Sequence, residues 1–197
     1  MYTIDPNYRL TKEEINKLPL RYYSGSIHLL ESKKDVNRAC AMLQNEIILG
    51  FDTETRPAFK KGQYFLPSLL QLAGFDRVFL FRLNKYGIPL SLKSLLMNHT
   101  IVKAGVAIER DIKDMQKISD FYQGNFVDLG EVAREKELQH FGLRGLAALL
   151  LHFRISKSSR TSNWDADRLT SKQINYAATD AWVSREIYCK LFHLDIQ

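Results

Sequence analysis

The sequence is poor in cysteine and has no long apolar run. Cys40 and Cys189 are its only cysteines and do not form a CxxC pair, so neither a disulfide framework nor a zinc site is indicated. No stretch approaches the roughly 18 apolar residues that a membrane span needs. Residues 1–6 lack the basic and apolar segments of a signal peptide. We therefore expect a cytoplasmic protein that contacts no membrane.

The rest of the composition is typical of a soluble globular protein. Apolar residues make up 45% of the chain and charged residues 25%, and a length of 197 residues suits one domain with a sizeable core. The formal net charge is +6 and the pI is about 9.3. A positive surplus favours a polyanionic partner such as nucleic acid, although many basic proteins bind none.

Two acids follow an apolar run near residue 50. Ile47, Ile48 and Leu49 predict a buried strand, and Asp52 and Glu54 come at its end. Because side chains on a strand alternate between faces, these two carboxylates point the same way. Adjacent carboxylates repel each other unless a cation lies between them. The alternative is that the acids simply begin a polar loop.

The loop after these acids combines basic and aromatic residues: Arg56, Phe59, Lys60, Lys61 and Tyr64. Such a strip can contact phosphates and stack a base, although a solvated turn has the same composition. Further along, residues 67–73 and 77–81 predict an antiparallel hairpin. Residues 101–105 predict another buried strand.

Two later helices carry further acids. The first places Asp111 beside an apolar stripe, where it could reach the strand ends, whereas Glu109 and Asp114 are expected to face water. The last helix begins with a capping box at Thr170 and places Tyr176 and Asp180 one turn apart on one face. Tyr176 could be a core aromatic. A carboxylate among alanines, as at Asp180, needs a partner, and a metal ion is a suitable one.

These segments together resemble a known family. The motifs at residues 51–55 and 105–111, followed by Tyr176 and Asp180 in a Y-x3-D pattern, resemble those of the DEDD superfamily of 3′–5′ exonucleases. The tyrosine marks the tyrosine-containing branch, because the histidine branch has a histidine where Asn175 stands. The chain is most similar to the ribonuclease D and Werner-syndrome exonuclease group over roughly residues 27–191.

The resemblance implies a ribonuclease H-like α/β fold with a mixed central sheet flanked by helices. It implies that Asp52, Glu54 and Asp180 hold one divalent ion, Mg²⁺ or Mn²⁺, and that Asp52 and Asp111 hold a second. Tyr176 would orient the attacking water. The expected reaction is two-metal hydrolysis that removes nucleotides from single-stranded 3′ ends of nucleic acid. Placement and charge suggest substrate contacts from six further residues: Thr55, Arg56, Lys60, Lys61, Lys157 and Arg160.

Some features of the family are absent or open. Ala107 replaces a glycine that many relatives carry, which we expect to be harmless, and the side chain that wedges the terminal base is unassigned. We expect residues 1–26 to form an N-terminal arm with a short helix, which a capping box at Thr11 begins, and residues 27–197 a single exonuclease domain. The alternative function is a catalytically weak nucleic-acid-binding module on the same fold. No residue distinguishes DNA from RNA.

Overall fold

The computed structural model describes residues 8–193 and contains one six-stranded sheet. The strands are β1 (Ser26–Leu30), β2 (Ile48–Thr55), β3 (Pro67–Ala73), β4 (Arg77–Arg82), β5 (Val102–Gly105) and β6 (Phe126–Asp128), in the order β1-β4-β3-β2-β5-β6. The two pairings that join β2, β3 and β4 are antiparallel, as the predicted hairpin requires. The other three pairings are parallel. The sheet is therefore mixed, as expected.

Strand β2 lies in the middle of the sheet, between β3 and β5. Asp52 is opposite Gln71 of β3, and Glu54 is opposite Leu69. The parallel partner β5 ends at Gly105, near the end of β2 that carries the acids. Carboxyl ends of parallel strands meet at one edge of a sheet, where α/β proteins bind their ligands.

Eight helices cover the sheet in the described part of the chain. They are α1 (Lys12–Lys17), α2 (Lys33–Leu43), α3 (Leu83–Tyr86), α4 (Leu90–Met97), α5 (Glu109–Ile118), α6 (Leu129–Glu135), α7 (Leu143–Leu151) and α8 (Ser171–Leu191). The side chains of Thr11 and Thr170 form complete capping boxes at α1 and α8, as their sequences predict. The side chains of Ser32 and Asp128 cap α2 and α6 by accepting hydrogen bonds from backbone amides of the first turn, without a complete capping box.

Successive residues of β2 pack into different cores because their side chains alternate between faces. Leu49 and Phe51 belong to a cluster with α2, α4 and α5. On the other face, α8 packs on β3 and β4 through Ala177, Ala178 and Ala181, and a further cluster joins α6, α7 and α8. The central strand is thus held between two helical layers.

Several expectations concern residues that the structure does not describe. Residues 1–6, which lack a signal-peptide pattern, lie outside the described range, as do the first seven residues of the arm at 1–26 and the last four of the domain at 27–197. The division into arm and domain stays a prediction. Within residues 8–193, no helix has the length and apolarity that crossing a bilayer would require.

Candidate active site

Three of the predicted acids converge at the end of β2. Asp52, Glu54 and Asp180 each place one carboxylate oxygen within 4.8 Å of the other two. Glu54 is 8% exposed and Asp180 is 6% exposed, and Asp52 is half-buried. Two of these residues come from one face of a strand and the third from a helix more than a hundred residues later. Because these carboxylates are largely buried, the cluster is not a solvated acidic surface.

Because Gly50 of β2 has no side chain, helix α8 can lie close to the acids. Gly50 lies on the same face as Asp52 and Glu54. A Cβ atom at Gly50 would lie 1.9 Å from the carbonyl oxygen of Ala181 and 2.8 Å from the amide nitrogen of Arg185. Only glycine therefore allows the helix backbone to approach the strand at this point. Asp180 precedes Ala181, so this close approach sets its position beside Asp52.

The fourth acid reaches the site from the other helical layer. Asp111 lines the same cleft as the three clustered acids but is not among the carboxylates within 4.8 Å of one another. The hydroxyl of Thr53 donates a 2.7 Å hydrogen bond to Asp111 Oδ1. Thr53 lies between the two acids of β2 and faces away from them, so it can hold a residue of α5. Nothing in the sequence around Thr53 indicates this role.

The electrostatics of the cluster disfavour four bare carboxylates. Burial, followed by the charges of Asp180 and Asp111, raises the pKa of Asp52 well above its ordinary value. Burial also raises the pKa of Glu54, as do the charges of the other acids, while nearby Arg160 acts in the opposite direction. The pKa values of Asp111 and Asp180 are raised as well, chiefly by burial. A cation would remove much of this repulsion.

Tyr176 lies one turn before Asp180 on α8 and lines the cleft. Burial, then the charges of Asp180 and Glu54, raise its pKa above the ordinary tyrosine value. A hydrogen bond with Tyr176 lowers the pKa of Asp180, against the larger effect of burial. The phenol therefore stays protonated at neutral pH and can donate or accept a hydrogen bond, but it is a poor general base.

The acids fit a divalent metal ion. Asp180 Oδ1 is buried and has no hydrogen-bond partner in the described structure, although its neighbours are other carboxylates. An unpartnered buried carboxylate oxygen is costly unless a cation binds it. Oxygen-only ligands are those that hard cations such as Mg²⁺ and Mn²⁺ prefer.

Comparisons with known proteins agree with this geometry. A model of the 3′–5′ exonuclease family matches residues 27–194. The chain belongs to this family. The mouse bifunctional 3′–5′ exonuclease/ATP-dependent helicase WRN is 34% identical over 91% of the chain, which corresponds to 14% of the mouse protein. A 3′–5′ exonuclease of Arabidopsis thaliana is 28% identical over 92% of the chain and 61% of its own length. The chain thus spans less than two thirds of these relatives.

Solved structures show the same fold. The exonuclease domain of Aedes aegypti Nibbler superposes with a TM-score of 0.76 at 25% identity, covering 91% of the chain and 94% of the Nibbler domain. Escherichia coli RNase D has a TM-score of 0.76 at 21% identity and covers 86% of the chain and 45% of its own. These neighbours have ribonuclease H-like exonuclease folds, so the expected fold class is confirmed. The match to the family model and the similarity to WRN confirm the expected family.

The acids of this exonuclease-family chain lie in a cleft of about 1080 Å³. Of the predicted substrate contacts, Thr55, Lys157 and Arg160 line this cleft. The other three, Arg56, Lys60 and Lys61, are exposed on the loop after β2 and are not among its lining residues. The structure therefore brings together the acids, the tyrosine and half of the expected contacts.

Sequence reasoning missed a second basic part of the cleft wall. Arg9 and Lys12 line it from the segment around α1, and His140 and Arg144 line it from the start of α7 and the preceding loop. In the sequence, a basic residue next to a short helix cannot be distinguished from an ordinary solvent-exposed basic residue. Only the docking of α1 reveals where these charges lie.

One expectation about α5 is wrong. Asp114 was expected to face water, but it is only 8% exposed. Its carboxylate accepts hydrogen bonds from the Tyr64 hydroxyl and, at 2.9 Å, from Lys117 Nζ. Lys117 also lies 4.7 Å from the centre of the Tyr64 ring. The acid faces inward because it ties the loop after β2 to the helix that carries Asp111.

Ala107 has a backbone conformation that is more common for glycine. Ala107 has a φ of 57°, in the left-handed region that favours glycine. This conformation costs an alanine about 1 kcal/mol. The amide nitrogen of Ile108 donates a 3.0 Å hydrogen bond to Asp128 Oδ2, which helps to hold the turn between β5 and α5. The turn is kept although the residue is unfavourable for it.

Proposed function

We propose that this chain is a 3′–5′ exonuclease that hydrolyses the terminal phosphodiester bond of single-stranded nucleic acid. The observation that carries the proposal is the convergence of Asp52, Glu54 and Asp180 within 4.8 Å, in a chain of the 3′–5′ exonuclease family. Exonuclease activity needs a buried acidic centre that opens to a cleft, and this centre lines one. Cytoplasmic location stays a prediction.

The acids would hold two divalent ions. Asp52, Glu54 and Asp180 are the ligands proposed for one ion, and Asp52 with Asp111 for the second. When bound, Mg²⁺ or Mn²⁺ would activate a water and stabilise the leaving 3′ oxygen. The hydrogen bond from Thr53 fixes one oxygen of Asp111 and leaves the other oxygen for the ion or its waters.

The other residues of the site would bind and orient the substrate. Tyr176, protonated and next to Asp180, would position the attacking water by a hydrogen bond. Lys157 and Arg160 line the cleft, and their charges would hold the phosphates of the strand. Thr55 would contact the terminal sugar. Phosphate contacts by Arg56, Lys60 and Lys61 stay a prediction, and these three would meet the strand only outside the cleft.

A labelled single strand tests the proposal. The protein is incubated with matched DNA and RNA oligonucleotides carrying a 5′ label, in Mg²⁺ or Mn²⁺, and products are resolved by length. We expect a ladder of shortened strands that EDTA abolishes. Asp52→Asn should lower the rate at least a hundredfold, because it removes the proposed shared ligand, with a thermal unfolding curve like that of the wild type.

A binding module without catalysis would give a different result. It would retain the labelled strand in a filter or anisotropy assay and leave its length unchanged. Shortening by Asp52→Asn at the wild-type rate would contradict the proposed site and would point to a contaminating nuclease. Tyr176→Phe should lower turnover more than metal affinity, and an equal loss in both would contradict the orienting role.

A further inference from the structure

The wall of the substrate cleft includes a segment that lies before the family-matched part of the chain. The family match begins at residue 27, whereas Arg9, Leu10, Thr11, Lys12 and Ile15 all line the cleft that contains the acids. We refer to residues 8–23 as the docked arm. The docked arm is therefore part of the wall of this cleft and does not form a separate surface.

Hydrogen bonds fix the second half of the docked arm to the body of the molecule. Arg144 Nη2 donates a 2.6 Å hydrogen bond to Asn16 Oδ1 of α1. After α1, Pro19 and Arg21 exchange backbone hydrogen bonds with Arg154, of 2.9 and 3.0 Å. The amide nitrogen of Tyr23 donates a 3.0 Å hydrogen bond to the hydroxyl of Thr179, the residue before Asp180.

Apolar packing supports these hydrogen bonds. Leu10 packs against the core cluster that joins α6, α7 and α8. The rings of Tyr23 and Trp182 lie 5.8 Å apart, which is a favourable distance for an aromatic pair. A segment with contacts of both kinds keeps its charged side chains at a defined place in the cleft.

The docked arm contributes two cations, Arg9 and Lys12, to the wall of the cleft. Arg9 and Lys12 are exposed and form no ion pair with any described residue. Of the two acids of α1, Glu14 is hydrogen-bonded to Tyr8 and to Thr11 of the capping box, and Glu13 is exposed. Two cations in a cleft, without an internal counter-ion, favour binding of an anion there.

Unpartnered polar atoms lie beside these cations. Arg144 Nε and His140 Nε2 are buried, line the cleft through their residues, and have no hydrogen-bond partner in the described structure. The charge of Arg9 is close enough to help to lower the pKa of His140, after the larger effect of burial. Buried polar atoms in proteins are normally hydrogen-bonded, and the N–H group of Arg144 Nε suits a ligand that brings acceptor oxygens.

We infer that the docked arm and Arg144 of α7 form a second phosphate-binding wall, at which Arg9, Lys12 and Arg144 hold the backbone of the nucleic acid strand upstream of its 3′ end. This inference rests on the proposed function for the identity of the strand. A cleft of about 1080 Å³ exceeds the roughly 300–1,000 Å³ of most small-molecule pockets, so it has room for more than one nucleotide. The arm would thus lengthen the site rather than alter its chemistry.

The test compares two double variants of equal charge change. Arg9→Ala/Lys12→Ala removes the cations of the arm, and Lys33→Ala/Lys34→Ala removes two exposed lysines of α2 that do not line the cleft. Binding of a 5′-labelled single strand is measured by anisotropy in EDTA, over a series of salt concentrations. The arm variant should bind about tenfold more weakly, because two exposed charge contacts are lost, while the control stays near the wild type.

The salt dependence separates phosphate contacts from other effects. Loss of two contacts to a single strand should reduce the slope of log affinity against log salt by about 1.4 in the arm variant. In Mg²⁺, the arm variant should raise KM for a long strand with kcat nearly unchanged. A dinucleotide should be affected less than the long strand.

Failure of this inference differs from failure of the proposed function. Equal affinities and slopes for the two double variants would overturn the second phosphate wall, even if the wild type shortens the strand. Binding that depends on the arm, without any shortening, would support the wall and overturn the exonuclease proposal. Absence of binding by the wild type would overturn both.

Discussion

At the scale of single residues, the site is a set of carboxylates that repel one another without a cation. Asp180 shows the conflict most directly, because burial raises its pKa and its Oδ1 atom has no hydrogen-bond partner among the described residues. Such groups lower the stability of the fold where they serve a ligand. The same residues therefore should determine both metal binding and the stability of the metal-free protein.

Asp180→Asn should stabilise the metal-free protein and remove most of the stabilisation that a metal ion provides. Without metal, the variant should melt a few degrees higher than the wild type, because one repelling charge is removed. Saturating Mg²⁺ or Mn²⁺ should raise the melting temperature of the wild type by about 5–10 °C and that of the variant little, as expected from linked binding. Thermal unfolding in EDTA and in each ion measures both effects.

The exposed acid Asp120 supplies the control for this comparison. Asp120→Asn should keep the full metal-induced increase in melting temperature. A wild-type melting temperature that does not respond to either ion would show that the cluster holds no metal.

At the scale of secondary-structure elements, the contact between β2 and α8 determines the geometry of the site. Gly50 lets the helix backbone approach the strand, and the helix then brings both Tyr176 and Asp180 to the acids of β2. The Tyr64, Asp114 and Lys117 contacts fix the loop after β2 in a comparable way on the other side.

Gly50→Ala should therefore disturb the site by moving α8. The added Cβ would lie 1.9 Å from the Ala181 carbonyl oxygen, and backbone atoms on both sides have to shift. We expect a loss of about 1–3 kcal/mol in the free energy of unfolding, as for other overpacked cores. Nuclease activity should fall more than the remaining folded fraction explains, as measured by urea unfolding and the oligonucleotide assay.

Gly142→Ala is the matched control for stability, because an added Cβ at Gly142 has no atom within 4 Å. Equal stability losses in the two variants would contradict the close approach of α8 as the cause. A Gly50→Ala protein with normal stability and activity would also contradict the role of this close approach.

At the scale of the whole molecule, much of the fold follows from local sequence patterns. The hairpin and the capped helices at Thr11 and Thr170 are where the sequence predicts them. The strand predicted from residues 47–49 instead begins at Ile48 and continues through both acids to Thr55, and Ile47 is 64% exposed. The side chains whose roles depend on distant partners could not be predicted. Thr53, Asp114 and Arg9 look like ordinary polar residues until α5 and α1 are placed against the sheet.

The stability of the whole molecule should depend on pH through a buried lysine. Lys103 of β5 is fully buried and donates hydrogen bonds of 2.5 and 2.9 Å to the carbonyl oxygens of Asn98 and Ile101. Burial lowers its pKa from 10.5 to about 8. Between these values the unfolded chain binds the extra proton, so the stability contributed by this group rises as the pH increases.

Lys103→Met removes this dependence. Between about pH 8 and about pH 10, wild-type stability should increase relative to the variant by about 2 kcal/mol, measured by urea unfolding at each pH. Lys33→Met, at an exposed site, should show no such trend. Parallel curves for the wild type and Lys103→Met would show that the lysine keeps its ordinary pKa in the folded protein.

The two helical layers that meet at β2 have a further consequence for how the enzyme would fail. Asp111 comes from the layer that packs with Leu49 and Phe51, and Asp180 comes from the helix packed on the opposite face. Partial unfolding of either layer would separate Asp111 from Asp180 while the other layer stays folded. On heating, catalytic activity should therefore be lost at a lower temperature than secondary structure. Loss of activity would then be the first measurable sign of unfolding in either helical layer.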